Sequence, residues 1–229
     1  MRRSTVENNL VTLQNPKSPI SEVYRTLRTN LQLSSIDSPM KIMMVTSAQR
    51  REGKTTTVSN LAIAYAQEGK KVLLIDTDLR EPSLHAVFNM SNRNGLTSIL
   101  SNQVEWREIF KESVTDNLTV LTSGPIPPNP SELLSSRRMQ ELLEELKEEF
   151  DIILFDTPPI LVVTDGLVVS NYCDGVILVV VSGKVDKELV VKAKANLEHV
   201  NARIAGVVLN KMNAKYGKRS TNYYYGARE

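Results

Sequence analysis

Lys41-Ile-Met-Met-Val-Thr46-Ser47-Ala48-Gln49-Arg50-Arg51-Glu52-Gly53-Lys54-Thr55-Thr56 decides the fold. An apolar run of strand length gives way to a polar loop. The loop ends in Gly53-Lys54-Thr55, where a stretch of small and apolar residues to Gln67 begins. That is the strand-to-helix setting of a phosphate-binding loop of the Walker A kind. Backbone amides and the positive end of the following helix can cradle phosphate oxygens, Lys54 can reach the β and γ phosphates, and the Thr55 hydroxyl can ligate Mg²⁺. Ala48 replaces the first glycine of the formal pattern. A chance Gly-Lys-Thr in a surface turn is the plain alternative, and the strand-to-helix setting argues against it.

Outward from this loop, Lys71-Val-Leu-Leu-Ile-Asp76 reads as a second buried strand, which completes a β-loop-α-β unit. Upstream, Ser18-Pro19 has the form of an N-cap followed by proline at the first helical position, so a helix is expected to about Leu33. Downstream, Leu118–Leu121 reads as a short strand that leads into the turn-rich Gly124-Pro-Ile-Pro-Pro-Asn-Pro130, and Ser131 is expected to cap one long charged helix through Glu149. Asp151–Asp156, Gly175–Val181 and Ile204–Asn210 are three more apolar strands, with helices near Thr164 to Asn171 and Asp186 to Val200. Strands alternating with helices predict an α/β fold: a P-loop NTPase with a mostly parallel sheet flanked by helices on both faces. The expected organisation is a flexible segment 1–17, one domain over 18–212 that opens with the helix of 18–34, and a flexible tail 213–229.

Composition narrows the function. With 28 basic against 26 acidic residues, the net charge of +2 gives no reason to expect nucleic acid as a partner. The lone Cys173 excludes an internal disulfide framework and any cysteine metal cluster, in keeping with a reducing, cytoplasmic setting. No apolar run approaches the roughly 18 to 20 residues of a membrane span, so membrane association is expected to come through a partner. His85 and His199 are isolated, and Trp106 reads as local packing.

Two acidic motifs follow strands. Asp76-Thr-Asp78-Leu-Arg80-Glu-Pro82 ends one strand and Asp156-Thr-Pro-Pro159 another, and the carboxyl ends of parallel strands are where open α/β sheets bind ligands. Each Asp alone is compatible with a simple turn. Together with Gly53-Lys54-Thr55 they suit phosphoryl transfer, which needs a metal held on acids and a group that orients the attacking hydroxyl. The last fourteen residues hold four of the seven tyrosines, Tyr216, Tyr223, Tyr224 and Tyr225, in a segment without apolar periodicity. Exposed tyrosines there would be reachable acceptors.

These motifs resemble those of the bacterial tyrosine kinases (BY-kinases) of capsule and exopolysaccharide biosynthesis, in the separate cytoplasmic form that works with a transmembrane activator. The resemblance spans nearly the whole chain. It is carried by Ser21–Asn30, by Thr46-Ser47 with the phosphate loop, by Asp76–Pro82, by Thr122-Ser-Gly-Pro-Ile-Pro-Pro-Asn-Pro-Ser-Glu-Leu-Leu-Ser135, by Asp156–Pro159 and by the tyrosine tail. It implies ATP and Mg²⁺ as cofactors. Ser47, Arg51, Glu52, Gly53, Lys54, Thr55 and Thr56 would belong to the nucleotide site, and Asn210 would read adenine. Thr55, Asp76, Asp78 and Asp156 would serve the metal, with Lys54 and the three aspartates as the catalytic set. The family's Glu-x-x-Arg-x-x-Arg element maps onto Glu22, Arg25 and Arg28, implying a ring of subunits, and their spacing of three suggests one charged helix face. Further implied partners are the activator at the membrane, a cognate tyrosine phosphatase and protein substrates.

One departure stands out. The family usually has Pro-Gly where this chain has Arg50-Arg51, so the loop loses a flexible glycine and gains cations near the phosphates. Two other readings share these motifs: an ATPase switch of the MinD/ParA type, and an ATP-binding assembly module without kinase activity. The first expects an extra lysine early in the loop, where this chain has Gln49.

Overall fold

The computed structural model describes residues 10–110 and 115–212. Six strands, β1 (Ile42–Ser47), β2 (Val72–Asp76), β3 (Leu118–Leu121), β4 (Ile152–Asp156), β5 (Gly175–Val181) and β6 (Ile204–Asn210), form one sheet in the order β3-β2-β4-β1-β5-β6. Every pairing is parallel. The helices, in chain order, are α1 (Val11–Gln14), α2 (Pro19–Leu33), α3 (Lys54–Gln67), α4 (Leu84–Val87), α5 (Leu96–Leu100), α6 (Trp106–Ile109), α7 (Pro130–Leu134), α8 (Arg137–Glu149), α9 (Asp165–Ser170) and α10 (Lys187–His199).

The period of two along the strands sorts side chains into two cores. Met43, Val45, Leu74, Leu154, Ile177 and Val179 point to a layer filled by Val58, Leu61, Ala62 and Tyr65 of α3 with Leu31 of α2. Their neighbours Ile42, Met44, Leu73, Ile75, Ile153 and Phe155 point to the opposite layer, filled by Met139, Leu142 and Leu146 of α8, Val169 of α9 and Leu197 of α10. Strands covered on both faces must be apolar throughout, and β1, β2 and β4 are buried at every position. α3 is itself buried on nearly all sides, because small residues such as Ser59, Ala62, Ala64 and Ala66 let it lie between the sheet and α1–α2.

The predicted strands and the α2 cap are found. Ser18 is the N-cap of α2, its hydroxyl accepts from Ser21 N at 3.0 Å, and Pro19 opens the helix. Two expectations are corrected. The single helix from Ser131 to Glu149 is two helices, because Ser136 takes an extended conformation and caps α8 by accepting from Met139 N at 3.3 Å. Ser131 is turned towards Asp165 instead. The segment before residue 18 is also not irregular throughout. Leu10 and Thr12 are buried, Thr12 N donates to Asn60 Oδ1 at 2.9 Å, and Thr12 O accepts from Gln67 Nε2 at 2.9 Å. Leu10 and Leu13 pack on the α3 core layer and two polar side chains of α3 complete the hold, in a stretch too short to show a helical period in the sequence. The tail tyrosines Tyr216, Tyr223, Tyr224 and Tyr225 lie outside the described residues.

Replacing Asn60 by Ala strips the buried Thr12 N–H of its acceptor, an expected loss of about 1–3 kcal/mol in urea unfolding, with faster hydrogen exchange at Thr12. Unchanged exchange at Thr12 would show that the segment is held by packing alone.

Candidate active site

Because all six strands run the same way, the carboxyl ends of β1, β2, β4, β5 and β6 share one edge, and the phosphate loop, the acidic motifs and Asn210 meet there. The cleft between them has a volume of about 610 Å³. Arg50, Arg51, Gly53, Lys54, Thr55, Thr56, Asp78, Glu81, Ser83, Pro159 and Asn210 are among its lining residues.

The loop is shaped by two left-handed residues, Arg51 at φ 63° and Gly53 at φ 98°. Gly53 has the conformation that favours glycine, and a Cβ there would lie 2.2 Å from Asn210 Nδ2, so any other residue would also displace the Asn210 amide. Gly53 is the N-cap of α3 and its carbonyl accepts from Thr57 N at 2.9 Å. The amides of Lys54, Thr55 and Thr56 belong to the first turn, which has no intrahelical acceptors, and they supply the anion site that the sequence predicts.

The side chains of Glu52 and Ser47 turn into the protein and brace the loop. The buried Glu52 carboxylate accepts from Gln49 N at 2.6 Å and Val181 N at 3.2 Å, so it braces the loop against β5. Ser47 is buried and donates to Gln49 O at 2.5 Å. Asn210 stands at the rim: its Nδ2 donates to Glu52 O at 2.8 Å and its Oδ1 accepts from Lys211 N at 2.8 Å. One amide hydrogen and one lone pair of its side chain are left for a base edge.

Asp76 and Asp156 are in register on adjacent strands and both are buried. Burial, then the Asp156 charge, pushes Asp76 well above the usual carboxylate range, although Leu84 N and Ser83 N each donate to its Oδ2 at 2.9 Å. Burial also raises Asp156, to about 7, against the influence of the Thr55 hydroxyl and the Lys54 ammonium. Thr55 Oγ1 and Ser83 Oγ bond each other at 2.9 Å, and neither oxygen of Asp156 has a hydrogen-bond partner. Asp78 lies at the cleft wall, accepts from Glu81 N at 3.1 Å, and is raised by burial while Lys54 pulls it down. Two orphan carboxylate oxygens beside a hydroxyl and an ammonium fit a hard cation bound together with phosphate. Among the described residues no three His, Cys, Asp or Glu side chains converge as a metal cage. An ion here would thus complete its shell with water and phosphate oxygens, as Mg²⁺ does.

Arg80 and Asp165 form a contact that the sequence reading missed. Arg80 Nε and Nη2 donate to Asp165 Oδ2 and Oδ1 at 2.7 and 3.1 Å. Asp165 lies 85 residues away in sequence with no motif around it, so only the fold reveals the pair. Of the helix residues, Glu22 and Arg25 pair at 2.9 Å near the surface, whereas Arg28 turns inward and donates to Ala64 O of α3 at 2.8 Å. The three therefore do not share one exposed face. Trp106 packs on Phe110 and donates to Glu145 at 2.8 Å, the local role expected of it.

Comparison with known proteins agrees with this geometry. The family model described as AAA domain matches residues 40–185. The tyrosine-protein kinase YwqD of Bacillus subtilis is 46% identical over 228 residues, which is 100% of this chain and 95% of that protein. The crystal structure of the chimerical protein CapA2B2 superposes with a TM-score of 0.86 at 41% identity, covering 89% of this chain and 90% of that one. The septum site-determining protein MinD of Pyrococcus horikoshii, at 22% identity and a TM-score of 0.64 over 82% of this chain and 78% of its own, shares the fold alone. With the phosphate loop, the paired acidic strand ends and kinship along its full length in agreement, the chain belongs to the bacterial tyrosine kinase family.

Proposed function

We propose that this protein transfers the γ-phosphoryl group of Mg·ATP to protein tyrosines, among them Tyr223, Tyr224, Tyr225 and Tyr216 of a neighbouring copy, in the control of capsule or exopolysaccharide synthesis. The observation that carries the reading is the meeting of Lys54, Thr55 and Asp78 with an Asp156 whose two oxygens have no partner in the protein. When bound, Mg²⁺ would be held by Thr55 and the carboxylates and would neutralise charge on the phosphates. Lys54 and the first amides of α3 orient the β and γ phosphates. A tyrosine hydroxyl with a pKa near 10 needs an acceptor for its proton as transfer proceeds, and Asp78, at the cleft wall, is the carboxylate placed for it. Asp76, tied to Ser83 N and Leu84 N, holds the turn that carries Asp78.

From Asn213 to Tyr223 the tail covers about ten residues, on the order of 35 Å when extended, enough to reach another subunit's cleft. Assembly as a ring would use the N-terminal half of α2, where Glu22 is exposed beside Ile20 and Val23. No described helix is long and apolar enough to cross a membrane. A separate transmembrane activator would bring the kinase to the cytoplasmic face of the membrane, and a cognate phosphatase would reverse its action.

Lys54→Met keeps the aliphatic packing and removes the cation, so phosphotyrosine formation should fall by a factor of about 100 or more with the melting temperature little changed. Undiminished phosphorylation by the pure variant would refute the assignment of the loop.

Asp156 makes a pH prediction. Its folded pKa of about 7 lies above the unfolded value near 4, so the folded state binds the extra proton. Stability is then highest below the unfolded value and is lost as pH rises from about 4 to about 7. Asp156→Asn should accordingly melt at a higher temperature than the parent at pH 8, by a margin that narrows as pH falls towards 5, while transfer is abolished. A variant less stable than the parent at pH 8 would contradict this.

Arg51→Gly relieves left-handed strain of about 1–2 kcal/mol but adds glycine entropy of about 0.5–1 kcal/mol to the unfolded chain, so stability should change little. ATP affinity should drop severalfold at low ionic strength and less at high ionic strength, measured by calorimetry, since the lost group is an exposed cation at the phosphate end of the cleft. A loss of affinity independent of salt would mean that Arg51 shapes the loop rather than charging it.

A further inference from the structure

Asp78 can orient a tyrosine hydroxyl only if the turn that bears it is held on both sides. On the strand side, Thr77 supplies the anchor: its N and Oγ1 both donate to Asp156 O, at 2.9 and 2.7 Å. On the far side Asp76 pins the turn at Ser83 N and Leu84 N, but between these anchors it rises to the surface, where the side chains of Arg80 and Glu81 are 43% and 57% exposed. The Glu81 side chain pairs with Arg50 at 2.9 Å, an exposed contact that contributes little, while the Glu81 N–H donates to Asp78 Oδ1 at 3.1 Å. Arg80 instead reaches inward to Asp165 at the start of α9. Asp165 is wholly buried, and both of its oxygens are occupied, by Arg80 Nε and Nη2 and by the Ser131 hydroxyl of α7.

A buried carboxylate with a two-point grip on a guanidinium fixes that guanidinium in position and direction, as a single contact at the surface does not. Burial alone would raise Asp165, yet hydrogen bonds from Arg80 and Ser131 leave it below the usual carboxylate range, so it stays charged and keeps its grip. Asp165 does not line the cleft. Its main route to the reaction runs through Arg80, two residues along the turn from Asp78, beside a smaller direct influence of its charge, which raises Asp78.

We propose that Asp165, with Ser131, is a positioning residue for phosphoryl transfer: it locks Arg80 and thereby aims Asp78 at the acceptor hydroxyl. The proposal rests on the role given to Asp78 above. It ties the rate of transfer to the seating of α7 and α9 on each other.

The test compares Asp165→Asn, Arg80→Gln and the double variant in the full chain. In Asp165→Asn one carboxylate oxygen becomes an NH₂ that faces a donor, so the two-point grip fails although the volume is kept. Each single variant should lower the rate of transfer at saturating Mg·ATP by about 10- to 100-fold, the cost of a small misplacement of a reacting group. The affinity for ADP should stay within about threefold of the parent, and the double variant should be no slower than the slower single one, because the two residues act as a unit. Arg80→Lys, with charge but no fork, should lie between Arg80→Gln and the parent. Parental rates in either single variant, additive losses in the double, or an ADP affinity that falls in step with the rate would each overturn the proposal. Should Asp165→Asn not fold, Arg80→Gln, Arg80→Lys and Ser131→Ala carry the same comparison. Asp78→Ala separates the two readings: if transfer survives it, the role of Asp78 fails; if transfer is lost there but intact in the Asp165 and Arg80 variants, only the positioning proposal fails.

Discussion

Two carboxylates, Asp76 and Asp156, face the same level of the sheet from neighbouring strands, and both are sealed from water. Like charges so placed oppose folding unless protons, amides or cations answer them. The surrounding structure can be understood as those answers. Ser83 N and Leu84 N turn towards Asp76, which fixes the start of α4. Lys54 lies near enough to Asp156 and Asp78 to stabilise their charges, which draws the start of α3 to the same spot. The two oxygens of Asp156 nevertheless have no hydrogen-bond partner. The fold thereby accepts a local cost at the point where charge must be exchanged with a ligand.

The phosphate loop illustrates a second economy of design. Its outer part carries Arg50 and Arg51, yet the backbone at Arg51 takes the left-handed conformation that glycine favours. What holds it there lies beneath. Glu52 is anchored to β5, and Asn210 closes over Gly53 from the end of β6. Loop shape is set by the ends of two strands distant in sequence, so the exposed positions are free to carry charge.

Much of this was legible in the sequence. Continuous apolar runs gave the parallel strands, because strands covered on both faces cannot alternate, and the glycine, lysine and aspartates at their carboxyl ends located the cleft. The misses share a cause. Asn60 holding the segment around Thr12, Ser136 rather than Ser131 capping α8, Glu52 facing inward, and Asp165 gripping Arg80 are all polar side chains whose partners are set by tertiary approach. A polar residue in a sequence announces that it needs a partner without saying where the partner is. Spacing alone misled only at Arg28: steps of three advance 300° per step, so the row winds round α2 and its last member meets α3.

Arg28 has an added consequence through that contact. Ala64 O, which it engages, is among the last four carbonyls of α3, and the adjacent Glu68 is held at 3.4 Å. The helix whose amino end receives phosphate thus has a cation seated at its carboxyl end, so the peptide dipoles of α3 are matched by opposite charge at both poles. An alteration at Arg28 that changes how copies associate would also leave the last turn of α3 without this cation, so a loss of stability of the single subunit would accompany it, independent of any contact between subunits.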